Sequence, residues 1–225
     1  MHMNVPIPRT SRQLQLTARV IAAYGLFIVG VIGFVEVASE VREPETLAGD
    51  RLVLQLVHTV ANPFLDKVVP FITDIGGPVG TVLITCAIGL SLFLHHYRKR
   101  SILILASVVG ATGINLIMKS LFERERPNLW ERLVVEHSYS FPSGHATVSA
   151  ALGAAIIIAS WHTRWRWWGA VLGLLYPLVI GLTRLYLGVH YPTDVLAGWM
   201  VGGTWTAIVA AILYSSLSRR TGLTK

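Results

Sequence analysis

The stretch SYSFPSGHATVSAALGAAIIIASW, Ser138–Trp161, changes from polar to apolar within one turn of a predicted helix. Its second half consists of small and apolar residues, which is typical of a helix kept away from water. Just before this half lie Pro142, Ser143, Gly144 and His145. Polar and ionisable groups at the end of a membrane span are expensive to bury, so they mark a candidate functional site.

The whole chain shares this apolar character. Of its 225 residues 53% are hydrophobic and only 14% are charged, whereas a soluble domain has about a quarter charged residues. The composition therefore indicates an integral membrane protein. The first apolar run is too long for a cleavable signal, so none is expected. The single cysteine, Cys86, excludes an intramolecular disulfide and a cysteine metal cluster.

The predicted fold is an all-α integral membrane protein, a single domain over residues 1–225 with six transmembrane helices in a bundle. Each span needs roughly 20 helical residues to cross a hydrocarbon core of about 30 Å. Six apolar segments meet this length, at about 17–38, 76–96, 101–122, 144–161, 167–187 and 194–216. The region at about 46–72 is apolar but interrupted by proline and charge, which predicts short amphipathic helices on the external membrane surface.

Small residues on the last predicted span indicate how it packs. Gly198, Gly202 and Gly203, together with Ala197, leave little side chain between this span and a neighbour. Such residues let two helix backbones approach closely in a membrane. We therefore expect close helix packing along this segment rather than a binding site.

The distribution of charge predicts the topology of the spans. The N-terminal tail, the 97–100 and 162–166 loops and the C-terminal tail hold eleven of the 19 Lys and Arg residues and none of the 12 acids. Because positively charged loops stay in the cytoplasm, we expect this side and both termini to be cytoplasmic. The loops 39–75, 123–143 and 188–193 then face the exterior. The basic balance is thus a topology signal, and no nucleic-acid partner is expected.

Several ionisable residues gather at the predicted external ends of the spans. Six of them come from separate segments and converge on one membrane face: Lys119, Arg126, His145, Arg184, His190 and Asp194. A lone histidine or arginine at a span end is usually an interfacial anchor, and we interpret Arg124, Arg132 and His137 in this way. Anchoring does not explain six such groups on one face, so the set predicts a functional site.

The chemistry of this set suits a tetrahedral dianion such as phosphate. Lysine supplies a point charge and arginine a planar fork for the non-reacting oxygens. Gly144 lets the backbone approach an anion, toward which the N–H groups at the start of the fourth span point. Ser143 is placed as a helix cap or as an oxygen ligand. The sequence has neither a Walker loop nor an acidic cluster suited to Mg²⁺, so no metal or cofactor is expected.

The two histidines have different surroundings in the sequence. His190 precedes Asp194 by four residues, and a carboxylate there can fix the ring tautomer and raise the basicity of the other nitrogen. A nucleophilic histidine needs this support. His145 has no adjacent acid and is free to donate a proton to a leaving oxygen.

Three motifs resemble, in order, the signature motifs of the type 2 phosphatidic acid phosphatase superfamily. They are KSLFERERP at 119–127, PSGH at 142–145 and TRLYLGVHYPTD at 183–194. The six-span layout extends the resemblance over nearly the whole chain. One departure is Thr183, which stands where the family usually has Ser and retains a hydroxyl.

The resemblance implies a metal-independent lipid phosphatase that works through a phosphohistidine. His190 would be the nucleophile, Asp194 its support and His145 the acid and then the base. The phosphoryl oxygens would be bound by Lys119, Arg126, Ser143, Gly144 and Arg184. The short six-span form is similar to bacterial phosphatidylglycerophosphatase B and undecaprenyl pyrophosphate phosphatase enzymes. The implied substrates are lipid phosphates or pyrophosphates in the bilayer, and no obligate protein partner is evident.

Two other classes of function share parts of this pattern. A vanadate-dependent haloperoxidase-like enzyme would use the same anion pocket, but the membrane spans count against it. A non-enzymatic transporter of anionic lipids would show inverted repeats and broken helices near the membrane midplane. The sequence contains no such repeat, and its charged groups lie at one face.

Overall fold

The computed structural model describes Gly25 and residues 27–220, and within that part the chain is helical without strands. We number the helices in chain order: α1 (27–40), α2 (Pro44–His58), α3 (Pro63–Ile75), α4 (Pro78–Leu94), α5 (Arg98–Phe122), α6 (Gly144–Ser160), α7 (Arg166–Tyr186) and α8 (Pro192–Arg220). The all-α prediction is thereby confirmed. Two short helices, α2 and α3, lie where amphipathic surface helices were predicted.

Three of the described helices are long and apolar enough to cross a membrane, namely α5, α7 and the 192–214 part of α8. A fourth span results if α3 and α4, which meet at a 45° bend, are counted as one. Helix α6 is apolar but has only 17 residues. Of the first predicted span, 17–38, the structure describes Gly25 and residues 27–38, where α1 lies, whereas residues 1–24 and 221–225 lie outside the described part. The chain is a membrane protein, and three to four of its six predicted spans are found in the described part.

Helix α6 packs against α5, α7 and α8, so it occupies the centre of the bundle. Small residues on α8 allow this packing. A Cβ atom on Gly202 would lie 2.2 Å from the Thr147 carbonyl oxygen of α6, and one on Gly198 would lie 2.8 Å from the Ser143 carbonyl oxygen. The predicted close packing is confirmed at these two positions. It is wrong for Gly203, around which a Cβ atom would meet nothing within 4 Å.

The long connection between α5 and α6 is fixed at both ends. Helix α5 ends at Phe122, and the next residue, Glu123, adopts a left-handed φ of 46° and donates its N–H to the Lys119 carbonyl. At the other end Phe141 is fully buried, with its ring centroid 4.8 Å from that of Phe122. Asn115 donates to the Pro142 carbonyl at 3.1 Å and so ties α5 to the start of α6. These anchors hold the ends of the connection next to the ends of both helices.

The close approach of α6 and α8 makes a prediction about stability. Replacing Gly202 with Ala places a methyl group against the α6 backbone, and overpacking of this kind costs about 1–3 kcal/mol. We expect a lower melting temperature for Gly202→Ala in detergent micelles. The matched control is Gly203→Ala, which adds the same methyl group in open space and should leave the melting temperature unchanged or slightly higher. Equal melting temperatures for the two variants would contradict this packing.

Candidate active site

The six ionisable residues predicted to converge do so at one end of the bundle. Lys119 is in the last turn of α5, Arg184 in the last turn of α7, and Asp194 in the first turn of α8. Arg126 lies on the α5–α6 connection, and His190 lies between α7 and α8. His145 is the second residue of α6, and its ring lies within electrostatic reach of Arg184, His190, Arg126 and Lys119.

The surroundings of His190 define its tautomer. Its Nε2 atom lies 3.0 Å from Nη1 of Arg126, and a guanidinium can only donate. Nε2 is therefore the acceptor, and the ring proton is on Nδ1. Nδ1 faces Oδ2 of Asp194 at 3.4 Å and Oγ of Ser140 at 3.4 Å.

The His190 ring is held neutral. Burial, followed by the positive charges of Arg126, Arg184 and Lys119, lowers the pKa of His190 well below its usual 6.5. A neutral ring with its proton on Nδ1 presents a lone pair on Nε2 to the cations around it. The residue is thus in the form that a nucleophile requires at neutral pH.

Asp194 is fully buried and is held by three donors in addition to its contact with His190. Ser140 Oγ and the Tyr191 N–H donate to Oδ2, and Nη1 of Arg124 donates to Oδ1. Arg124 also forms an ion pair with Asp50 of α2 at 2.9 Å. The carboxylate therefore faces His190 with one oxygen and Arg124 with the other.

The interpretation of Arg124 as an interfacial anchor is wrong. Its side chain is buried and paired with carboxylates that lie 70 and 74 residues away in the sequence. Asp50 and Ser140 were also not singled out as site residues. No local spacing relates these residues to His190, because the contacts arise only when α2, α8 and the α5–α6 connection pack together.

Three cations line the pocket next to Nε2 of His190. Arg184 is 1% exposed, donates from Nη1 to Thr73 Oγ1 at 3.0 Å, and has no partner for its Nε within the described residues. Lys119 donates from Nζ to the Tyr139 carbonyl. Burial lowers the pKa of Arg126 to about 10, so this side chain remains cationic at neutral pH. Buried cations with incompletely satisfied donors create a site for an anion.

A carboxylate from the α5–α6 connection occupies part of this pocket. Glu136 accepts from Nη2 of Arg184 with one oxygen and lies 3.4 Å from Nη2 of Arg126 with the other. It thus bridges the two arginines as an oxyanion ligand would. The sequence offers no signal for this role, since Glu136 lies on a loop outside the three motifs and 48 residues from Arg184.

The start of α6 forms the wall beside Lys119. Ser143 is fully buried, caps the helix by accepting from the Ala146 N–H at 3.5 Å, and donates its own N–H to the Asp194 carbonyl at 3.0 Å. A Cβ atom on Gly144 would lie 3.2 Å from Oδ1 of Asn115 and 3.9 Å from Cε of Lys119. The backbone of Gly144 is therefore close to the lysine. Of the two roles predicted for Ser143, the structure shows the helix cap.

His145 and Thr183 both lie beside the C-terminal end of α3. Nε2 of His145 is 3.2 Å from the position that a Cβ atom of Gly77 would take, at the α3–α4 bend. Thr183, the departure from the family motif, donates to the Ile180 carbonyl at 2.6 Å and contacts Thr73 Oγ1 at 3.0 Å. Its hydroxyl therefore supports the residue that binds Arg184.

The pocket is closed in this structure. His190 is 1% exposed and Lys119 is 8% exposed. A cavity of about 610 Å³ opens beside Arg126 but is lined by the α5–α6 connection, not by either histidine of the pocket. In the described part of the chain, no group of three or more His, Cys, Asp or Glu side chains could hold a metal ion.

Two proteins named as lipid phosphatases are similar in sequence to this chain. Phosphatidylglycerophosphatase B of Bacillus subtilis (strain 168) is 28% identical over 177 residues, which cover 75% of this chain and 85% of that protein. An undecaprenyl-diphosphatase of Sulfolobus acidocaldarius is 29% identical over 134 residues, 56% of this chain and 61% of that protein.

The fold also has a counterpart among solved structures. A transmembrane PAP2-type phosphatidylglycerolphosphate phosphatase from Bacillus subtilis superposes with a TM-score of 0.76 at 24% identity, covering 83% of this chain and 94% of that one. The family model of the PAP2 superfamily matches residues 100–217, which include all three motifs and more than half of the chain. The chain therefore belongs to the PAP2 superfamily.

Proposed function

We propose that this protein is a lipid phosphatase that hydrolyses phosphate mono- or diphosphate esters of lipids. The observation that carries the proposal is the His190 ring, whose Nε2 lies 3.0 Å from Arg126, within electrostatic reach of Arg184 and Lys119, while Asp194 lies on the Nδ1 side. The relatives named above act on phosphatidylglycerol phosphate and undecaprenyl diphosphate, which makes these two lipids the first candidates. Phosphatidic acid is a further candidate because it presents the same phosphomonoester.

The proposed reaction has two steps. In the first, Nε2 of His190 attacks phosphorus, the N–P bond forms, and the P–O bond to the leaving group breaks with its electron pair on the leaving oxygen. His145, in its protonated form in the complex with substrate, gives its proton to that oxygen and becomes neutral. In the second step His145 takes a proton from water, the water oxygen attacks phosphorus, and the N–P bond breaks. General acid–base catalysis of this kind contributes roughly 10²–10⁴ in rate.

The non-reacting oxygens are assigned to the cations and to the start of α6. Lys119, Arg126 and Arg184 neutralise the phosphoryl charge, which is the task a metal performs in other phosphatases. The Gly144 N–H and Ser143 at the N-terminus of α6 complete the set. In this proposal the reaction is independent of metal and cofactor.

The proposal extends to the membrane arrangement. The chain forms one six-span domain over residues 1–225, both termini are cytoplasmic, and the site faces the exterior. The support is the charge distribution, since the N-terminal tail, the 97–100 and 162–166 loops and the C-terminal tail contain none of the 12 acids. The substrate is then a lipid of the outer leaflet, and neither nucleic acid nor an obligate protein partner is required.

Replacing the nucleophile tests the proposed reaction. We expect His190→Ala to reduce phosphate release from lipid phosphates in detergent micelles by at least about 10⁴-fold, because the covalent step is lost. The matched control is His137→Ala, which removes an exposed histidine from the α5–α6 connection. A folded His190→Ala variant that turns over at near the wild-type rate would overturn the mechanism.

Chelation tests the role of the cations. We expect phosphate release to continue at an unchanged rate in excess EDTA, because Lys119, Arg126 and Arg184 supply the positive charge. The measurement is the rate before and after dialysis against EDTA, with a Mg²⁺-dependent phosphatase as the control for chelation. A loss of activity that added divalent metal restores would contradict this assignment.

The position of Glu136 makes a prediction about anion binding. Glu136→Gln removes a carboxylate that competes with a bound phosphate for Arg126 and Arg184, so we expect inorganic phosphate to inhibit the variant about tenfold more strongly. The matched control is Glu131→Gln, which makes the same charge change on the same connection. Equal or weaker phosphate inhibition of Glu136→Gln would show that the carboxylate does not compete for the pocket.

A further inference from the structure

A buried chain of charges leads from Asp194 away from the pocket. Arg124 bonds Asp194 through Nη1 and Asp50 through Nη2, and both pairs are almost fully removed from solvent. Asp50 also accepts from the Thr193 N–H at 3.1 Å and from its hydroxyl at 2.6 Å. The Arg124 guanidinium lies 4.1 Å from the centre of the Tyr191 ring. These contacts hold Arg124 in one position next to the residues that flank His190.

The net charge of the buried group Asp50, Arg124 and Asp194 determines how strongly it stabilises a positive charge on His190. An isolated Arg124–Asp194 pair would be neutral, and it would offer the imidazole ring little net negative charge. Asp50 adds a second carboxylate, so the three residues together carry one negative charge. The effect is strong because the group is buried, where charges are screened much less than in water.

We infer that Asp50 and Arg124 are positioning residues for the reaction at His190. Arg124 orients the Asp194 carboxylate, and Asp50 offsets the charge of Arg124 so that Asp194 still acts on the ring as an anion. The inference rests on the proposed function, because the covalent step creates the positive charge that needs this support. When Nε2 forms the N–P bond, the ring keeps its proton on Nδ1 and becomes cationic. The group of Asp50, Arg124 and Asp194 then neutralises it.

A purely structural role for the same residues makes a different prediction. If the ion chain only links α2 to α8, each further substitution in it should cause further loss. If the net charge of the group determines the rate of the reaction at His190, Asp50→Asn makes the group neutral and lowers this rate. Asp50→Asn combined with Arg124→Gln returns the group to one negative charge. The second substitution should then repair part of the damage done by the first.

The test uses the full chain in detergent micelles and two probes besides lipid turnover. Orthovanadate can accept Nε2 of His190 as a fifth ligand, so its affinity measures how well the site stabilises a geometry like that of the transition state. The affinity for inorganic phosphate measures binding to the cations Lys119, Arg126 and Arg184 without a bond to Nε2. Affinities for both are measured by isothermal titration calorimetry, and folding is checked by melting temperature. The matched control is Glu45→Gln, which removes an exposed carboxylate from the same helix.

We expect Asp50→Asn to lower kcat about tenfold or more with KM within about twofold of the wild type, because positioning acts on the transition state. Vanadate affinity should fall by a similar factor, and phosphate affinity should stay within about twofold. The double variant should recover part of both losses, and Glu45→Gln should match the wild type.

Two results would overturn the inference: wild-type vanadate affinity in a folded Asp50→Asn variant, or a double variant that binds vanadate more weakly than the single one. If Asp50→Asn does not fold alone, Asp50→Asn with Arg124→Lys has the same net charge and replaces it in the comparison. If the wild-type protein releases no phosphate from lipids, the proposed function fails. In that case the two affinities still test the inference: it holds if Asp50→Asn weakens vanadate binding more than phosphate binding and the double variant recovers part of the loss, and it fails otherwise.

Discussion

Every charge that this protein buries at the end of its helix bundle needs a partner, and this requirement organises the site. An unpaired buried charge costs several kcal/mol, and breaking a buried pair costs about 3–5 kcal/mol. The cations of Arg124, Arg126 and Arg184 are accordingly matched by the carboxylates of Asp50, Asp194 and Glu136. The pairing has two parts: Arg124 with Asp50 and Asp194, and Arg126 and Arg184 with Glu136, the carboxylate that we propose competes with a bound phosphate.

The helix packing supplies the geometry for this pairing. Gly198 and Gly202 bring the backbones of α6 and α8 together, and the Ser143 N–H then bonds the Asp194 carbonyl at 3.0 Å. One helix carries His145 at its start and the other carries Asp194 beside His190. His145 and Asp194 are therefore set in position by backbone contacts between two helices, while the cations Lys119, Arg126 and Arg184 come from α5, the α5–α6 connection and α7.

Much of the candidate site could be predicted from the sequence, and the residues that were missed were all missed for the same reason. Lys119, Arg126, His145, Arg184, His190 and Asp194 were found because apolar spans force the polar residues of a membrane protein to the span ends. The helices α5, α7 and α8 were found for the same reason. Arg124, Asp50 and Glu136 were missed because their roles depend on partners 48 to 74 residues away. The separation of α3 from α4 was also predicted, since proline and charge interrupt the 46–72 region before the apolar 76–96 segment, and a 45° bend lies between the two helices.

The Glu136 bridge has a consequence for the end of the catalytic cycle. Release of inorganic phosphate, the product of the proposed reaction, would leave Arg126 and Arg184 without a counter-ion in a largely buried pocket, and product release is often rate-limiting in enzymes. If phosphate displaces Glu136 from Arg126 and Arg184 as we propose, the return of this carboxylate replaces the departing anion. In this proposal the two arginines exchange phosphate for the Glu136 carboxylate, so product release does not separate opposite charges without replacement.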